Sequence, residues 1–414
     1  MDIIKKWTGS SLILKILIGL VIGAILGMVV PEWSFIGFPG DLFVSALKAI
    51  APVLVFVLVA SAISKAGRGI GSRFKTVIVL YLFSTFLSAM VAVTASYLFP
   101  VTIDLTNAST ETAPGGLAEV MSNMVLTVFS NPIDLLSQGQ YLGILFWAIV
   151  FGIALKMVAS DNTKGLLSDC ADAVNLVVKG IIQFAPIGIL GLVFSSVSES
   201  GIGIFTQYGE LIILLVGCIA VVAFITDPII SGLALRRNPY PLVLTCLRES
   251  GITAFFSRSS AANIPVNMRL CERLGLDKDF YSISIPLGST INMEGAAITI
   301  TIMTLAVCHT MGISVPLPLT IVLCIISTAA ACGASGVAGG SLLLVPMACS
   351  LFGIGSDVAM QAVAVGFIIS VIQDSCETAL NSSGDALFSA TAEYYERLKN
   401  GEPMNYLGEF AKRD

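Results

Sequence analysis

Long apolar stretches alternate with short polar ones along most of the chain. Residues 42–63 are interrupted only by Ser45, Lys48 and Ser61, residues 77–98 carry no charge, and residues 211–225 are apolar. Residues 283–308 hold a single acid, Glu294. About 20 apolar residues in a helix span the hydrocarbon core of a bilayer, so these stretches predict transmembrane helices. A further run, residues 12–30 with Lys15 inside it, follows Lys5 and Lys6 much as a secretory signal would. It is long and no A-x-A cleavage site follows, so it is expected to be the first spanning helix, retained.

The basic residues order these helices. Lys5, Lys6 and Lys15 stand at the start, and Lys65, Arg68, Arg73 and Lys75 fall between the second and third helices. Lys156, Lys164 and Lys179 follow the fourth, Arg236 and Arg237 end the sixth, and Arg397, Lys399, Lys412 and Arg413 lie in the tail. Residues 31–47, 99–140, 197–213 and 310–358 have no lysine or arginine. This alternation is the positive-inside pattern. It predicts eight full crossings with both termini in the cytoplasm, residue 67 cytoplasmic and residue 110 external.

Two stretches do not fit a simple crossing. Residues 239–276 are apolar but studded with polar groups, reading FFSRSSAANIP over 255–265, and are flanked by basic residues on both sides. They are expected to enter and leave on the cytoplasmic face. Residues 318–357 hold AACGASGVAGGS over 330–341 without a charge before Asp357, and are expected to dip in from outside. Irregular backbone at membrane depth survives only when buried in protein or lining a cavity. Each predicted hairpin precedes a helix bearing acids, so the two halves look like inverted repeats. Paired interrupted segments of this kind mark a transporter's binding site.

Composition narrows the chemistry. Of 414 residues, 56% are hydrophobic and 12% charged, against about 45–50% and 25% in a soluble domain. The net charge of −5 says nothing further about partners, and no nucleic-acid partner is expected. The nine cysteines form no C-x-x-C pair and sit mostly in apolar runs, as small buried thiols do. His309 is the only histidine, which excludes a histidine metal centre, and no G-x-x-x-x-G-K-[ST] loop is present. Uphill transport by this chain must run on an ion gradient.

The last apolar helix carries Asp374, Glu377, Thr378, Asn381 and Asp385 at offsets of 3, 4, 7 and 11, which puts them on one face. An acid at membrane depth costs about 2.5–3.5 kcal/mol, so three require compensation by cations, a substrate amine or protons. The preceding helix reads GSTINMEG over 288–295. Its amide and acid side chains, with carbonyls loosened by glycine, are hard oxygen ligands suited to Na⁺ and unlike a soft-metal site. Spacing alone does not choose between Na⁺ and H⁺.

At these residues the chain resembles the dicarboxylate/amino acid:cation symporters, the glutamate-transporter fold. The likeness runs over nearly the whole chain. It rests on Arg258-Ser259-Ser260, on Ile291-Asn292-Met293-x-Gly295, on the tip at 333–340 and on residues 374–385. Arg248-Glu249-Ser250-Gly251, residues 259–267 and residues 373–383 are most similar to the serine/threonine:sodium branch. The resemblance implies an all-α polytopic protein of the bacterial inner membrane, with eight transmembrane helices and two re-entrant hairpins, assembled as a homotrimer among lipid. It implies no cofactor beyond Na⁺ as coupling ion, no enzymatic activity, and elevator-type import of serine and threonine. Other small neutral amino acids, alanine and cysteine, are the alternative substrates.

It further implies a division of the chain. Residues 1–75 would be scaffold, 76–98 transport core, and 99–238 scaffold with the sixth helix joining the core. Residues 239–395 would form the core proper and 396–414 a cytoplasmic tail. Carried over residue by residue, Ser260 and Asn381 hold the substrate carboxylate beside Arg258 and Ser259, and Asp374 holds the ammonium. Thr378 and the backbone of Gly336 and Val337 complete the pocket. One sodium takes Gly288, Asn292, Asn381 and Asp385. A second takes Thr290 with carbonyls near Ala331, Cys332 and Ala334. A third uses Tyr81, Ser84, Thr85, Asn292 and Glu294. Three positions depart from the family: Ala261 replaces a serine, Glu294 an aspartate, and Glu377 the arginine that pairs with an acidic substrate side chain. The last change argues against aspartate or glutamate as substrate. Glu377 either faces the substrate side chain or turns sideways to pair with Arg258.

Two other classes compete. A channel with hairpins forming a filter would show currents without saturable uptake, and Arg258 with two unequal hairpins argues against a symmetric filter. An intramembrane aspartyl protease would use Asp374 and Asp385. These share one helix at fixed separation, and the G-x-G-D motif is replaced by Ser382-Ser383-Gly384-Asp385.

Overall fold

The computed structural model describes residues 12–65, 72–105, 126, 129–201, 203–334 and 339–412. Among these, every regular element is helical. The first three helices are α1 (Leu12–Val29), α2 (Phe38–Lys65) and α3 (Ser72–Leu98). They are followed by α4 (Pro132–Gln138), α5 (Tyr141–Val158), α6 (Asp161–Gln183) and α7 (Ala185–Ser200).

Side chains set several starts. Asn131 caps α4 by accepting from the Ile133 N–H, and Ser160 caps α6 by accepting from the Thr163 N–H. The α6 and α7 helices meet at 55°, at Phe184 just before Pro186. Pro186 lacks the N–H that would continue the helix. Along α1, Gly19, Gly23 and Gly27 face the carbonyls of Pro186, Leu190 and Phe194. A Cβ at these glycines would lie 2.2, 2.4 and 2.8 Å from those oxygens, so only a side chain without Cβ permits this approach of α1 to α7.

The next stretch is repeatedly interrupted. Helix α8 (Ile204–Val221) passes through a π-helical turn, Val222–Thr226, into α9 (Asp227–Leu235). Helix α10 (Tyr240–Cys246), a second π-helical turn (Leu247–Gly251) and α11 (Ile252–Ser257) run to Arg258. There the chain turns into α12 (Ser260–Arg273), whose cap Ser259 accepts from the Ala262 N–H. Asn263 Nδ2 donates back to Ser250 Oγ at 2.8 Å and ties the two arms together.

Helix α13 (Lys278–Ile291) breaks at Asn292 and Met293 before α14 (Glu294–Thr310). Every residue of α14 from Glu294 to Cys308 is buried, as expected of a helix apolar all round. It is the centre of the molecule, packed against α3 and the last helix. Helix α15 (Leu317–Ala331) is followed, beyond the tip, by a 3₁₀ turn (Leu342–Leu344) and α16 (Val345–Ser350). The last helix, α17 (Ser356–Asn400), has 45 residues and is therefore about 68 Å long, twice the hydrocarbon thickness.

Among the described residues, five helical spans are long and apolar enough to cross a membrane, or six if the bent α6–α7 pair is one span. Shorter apolar helices lie at Leu14–Val29, Phe146–Val158 and Leu317–Ala331. The chain is thus an all-helical polytopic membrane protein. The eight crossings expected from the basic residues exceed the five or six that length supports.

Candidate functional site

The site assembles where the Arg258 turn, the α13–α14 break and the middle of α17 converge. Arg258 ends α11 with φ of +51°, a left-handed conformation uncommon for a non-glycine residue, shared here with the C-cap Arg236. Its buried guanidinium donates from Nε to Asp374 Oδ2 at 2.6 Å and from Nη2 to the Ser370 carbonyl at 3.2 Å. Asp374 Oδ1 accepts from the Gly339 N–H at 3.1 Å. One carboxylate therefore joins the first helical turn region, α17 and the segment after the second tip. Ser259 is occupied as a helix cap, while Ser260, Thr378 and Asn381 are buried beside this pair. Asn381 Oδ1 accepts from the Gly295 N–H at 2.8 Å, which leaves its amide nitrogen as the end able to meet a carboxylate. Gly336 and Val337 lie outside the described residues.

Glu377 does not reach Arg258. Its Oε2 accepts from Thr299 Oγ1 at 2.7 Å, Ser341 Oγ at 2.8 Å and Gln373 Nε2 at 2.5 Å. Three donors from three elements fix this carboxylate beside Asp374, with Gly295 packed so closely that a Cβ there would lie 2.8 Å from the Glu377 backbone. The sideways ion pair with Arg258 is not formed.

The residues expected around the first sodium come together. Asn292 Nδ2 donates to the Asn381 carbonyl at 3.3 Å and to Asp385 Oδ1 at 3.2 Å. A Cβ on Gly288 would lie 2.8 Å from Asp385 Oδ1 and from the Tyr81 hydroxyl. Asp385 Oδ2 is buried with no hydrogen-bond donor among the described residues, an oxygen a cation would satisfy. The broken helix is what frees this region, because Asn292 and Met293 leave helical geometry.

For the second sodium, Thr290 Oγ1 donates to the Leu287 carbonyl at 2.7 Å, and Cys332 Sγ lies 3.8 Å from the Ile291 carbonyl. The end of α15, with Ala331, Cys332 and Ala334, is thereby set against the end of α13. For the third, Ser84 and Thr85 donate to the Tyr81 carbonyl at 3.1 and 2.7 Å, and Ser84 also reaches Asn292 Oδ1 at 3.3 Å. The Tyr81 hydroxyl itself turns to the Asp385 carbonyl at 3.1 Å and Ser389 Oγ at 2.8 Å. Glu294 lies beside Ser84, and among the described residues both its buried oxygens lack a donor.

Four residues of this region escape the sequence reading. Thr299, Ser341 and Gln373, which hold Glu377, are ordinary polar residues whose partners lie 78, 36 and 4 positions away. Asp227 is the fourth, buried at the start of α9 with its carboxyl against Glu294. A lone acid in an apolar run was its available signal.

Buried acids with unsatisfied oxygens, placed where membrane helices break, define an ion-coupled membrane carrier. Comparison with known proteins agrees. The profile of the sodium:dicarboxylate symporter family matches residues 12–394. The serine/threonine transporter SstT of Bifidobacterium adolescentis is 55% identical over 399 residues, covering 96% of this chain and 93% of its own. The transporters of that name from Streptococcus agalactiae and Streptococcus thermophilus are 57% and 55% identical, each covering 94% of this chain and 97% of their own. The chain belongs to the sodium:dicarboxylate symporter family, a family of carriers and not of enzymes.

Proposed function

We propose that this protein imports serine and threonine together with Na⁺ across the bacterial inner membrane. The observation that carries the substrate choice is Glu377, fixed by Thr299, Ser341 and Gln373 one helical turn from Asp374. A carboxylate there accepts a hydrogen bond from a substrate hydroxyl and repels an acidic side chain. The names of the relatives above agree with this choice. In this reading Asp374 receives the substrate ammonium while Ser260 and Asn381 receive its carboxylate, with Arg258, Ser259, Thr378, Gly336 and Val337 around them. The three sodium ions take the residue sets already given.

The finer architecture belongs to the same proposal. Short α1 and α5, added to the five long spans and the bent α6–α7 pair, make eight crossings with both termini cytoplasmic. The segments 239–276 and 318–357 are re-entrant hairpins in inverted repeat, which the tied arms at Asn263 and Ser250 support. The division into scaffold (1–75 and most of 99–238) and moving core (76–98 and 239–395), with 396–414 as tail, supports an elevator-type cycle in a homotrimer. Competition on labelled serine uptake tests the substrate assignment. Threonine inhibits fully and aspartate does not; inhibition by aspartate at concentrations where threonine fails refutes it. Alanine and cysteine in the same assay measure the breadth of the pocket.

A further inference from the structure

We propose that Asp227 is a cation ligand, completing with Glu294 a two-carboxylate Na⁺ site between α9 and the broken α13–α14 helix. The inference rests on the sodium-coupled reading above and adds to it a ligand from a helix that the resemblance does not bring to any ion. Asp227 is 2% exposed and Glu294 is fully buried. Their carboxyls face each other. Among the described residues no hydrogen-bond donor reaches Asp227 Oδ1 or either oxygen of Glu294. Among the described residues neither acid forms an ion pair with a basic residue, and a third carboxylate, Asp385, is close enough to Glu294 to interact with it.

The local backbone is built around this acid. Asp227 follows a π-helical turn and precedes Pro228, which removes an intrahelical N–H. Such turns concentrate at functional sites. One turn later Ser231 Oγ meets Thr391 Oγ1 at 3.2 Å, anchoring α9 to α17. Gly384 faces the Glu294 carboxylate, and a Cβ there would lie 2.6 Å from Oε2. Space is thus kept on the side where the carboxylate meets the last helix.

Two adjacent buried carboxylates without a counter-charge are unfavourable, and a bound cation removes the penalty. The groups at hand are two carboxylates, the Ser84 hydroxyl and the Asn292 amide oxygen, all hard oxygens. Mg²⁺ retains several waters and Ca²⁺ takes 6–8 oxygens. A site with this few protein oxygens suits Na⁺, the ion the carrier already couples to.

Uptake of labelled serine into proteoliposomes, with the Na⁺ concentration varied, tests this in the full-length protein. Asp227→Asn raises half-saturating Na⁺ by at least about tenfold, Glu294→Gln does the same, and the double variant is less than multiplicative because one ion is shared. If Asp227→Asn keeps the wild-type Na⁺ dependence while Glu294→Gln loses it, Asp227 is not a ligand. A shifted pH profile with unchanged half-saturating Na⁺ also overturns the proposal, since the pair then holds a proton. If the asparagine variant does not fold, Asp227→Glu decides: a ligand one methylene longer changes the Li⁺ to Na⁺ preference, and an unchanged preference contradicts the site. Loss of Na⁺ dependence in the wild type would instead refute the coupling reading itself.

Discussion

Arg258 and Asp374, 116 residues apart, form a buried ion pair with Nε 2.6 Å from Oδ2. The arginine is held from behind by the Ser370 carbonyl, and the aspartate's other oxygen by the Gly339 N–H. In the proposed reading, a substrate ammonium arriving at Asp374 would share a carboxylate already oriented by the protein.

Removing that carboxylate leaves a buried guanidinium unpaired, a loss worth about 3–5 kcal/mol. Asp374→Ala is expected to abolish serine binding rather than shift selectivity, and calorimetry on the purified protein measures it. Near-normal serine affinity would show that the ammonium is held elsewhere.

Glu377 sets selectivity in this account. Like charges about 4 Å apart cost about 4 kcal/mol at an effective dielectric near 20, close to a thousandfold against aspartate. Glu377→Arg is expected to lose serine uptake and become sensitive to inhibition by aspartate. A variant that still transports serine and ignores aspartate takes Glu377 out of the pocket.

Asp385 offers a cation a full charge where its neighbours, Gly288 and Asn381, offer carbonyl dipoles. Charge-assisted contacts are roughly twice as strong as neutral ones. Asp385→Asn is expected to weaken Na⁺ activation of uptake far more than it changes the ranking of serine over threonine. Unchanged half-saturating Na⁺ in that variant contradicts the assignment.

Orientation rests on basic residues alone. Four stand in 65–75 and none in 99–140. In a cysteine-free background, Gly67→Cys is expected to be protected from an impermeant thiol reagent in intact cells and Thr110→Cys to be labelled. Both positions lie outside the described residues. The reverse labelling pattern overturns the topology.

What the sequence disclosed depended on how far apart the partners lie. Asp374, Glu377, Thr378, Asn381 and Asp385 were legible as one stripe because a single helix carries them, and α17 does carry them all. Gly288 and Gly295 pointed to a loosened helix, and the break falls between them at Asn292 and Met293. Pairings across elements were not legible. Helical periodicity says nothing of which arginine meets which acid, so Arg258 stood open to Glu377 and is found on Asp374. Asp227 stayed hidden for the same reason, since its neighbour Glu294 comes from another helix. Helix length and hydropathy by themselves reach only five or six spans, because α1 and α5 are short and α6 is an amphipathic helix with only Ala171, Val178 and Ile182 buried.

The central claim, Na⁺-driven serine uptake, is tested most directly with purified protein in proteoliposomes. Labelled serine is followed with Na⁺ outside and K⁺ inside, and then with K⁺ on both sides. The account predicts saturable accumulation above the external concentration under the Na⁺ gradient alone, collapsing when a sodium ionophore dissipates it. Equal uptake without Na⁺, or equilibration that never saturates, would contradict it.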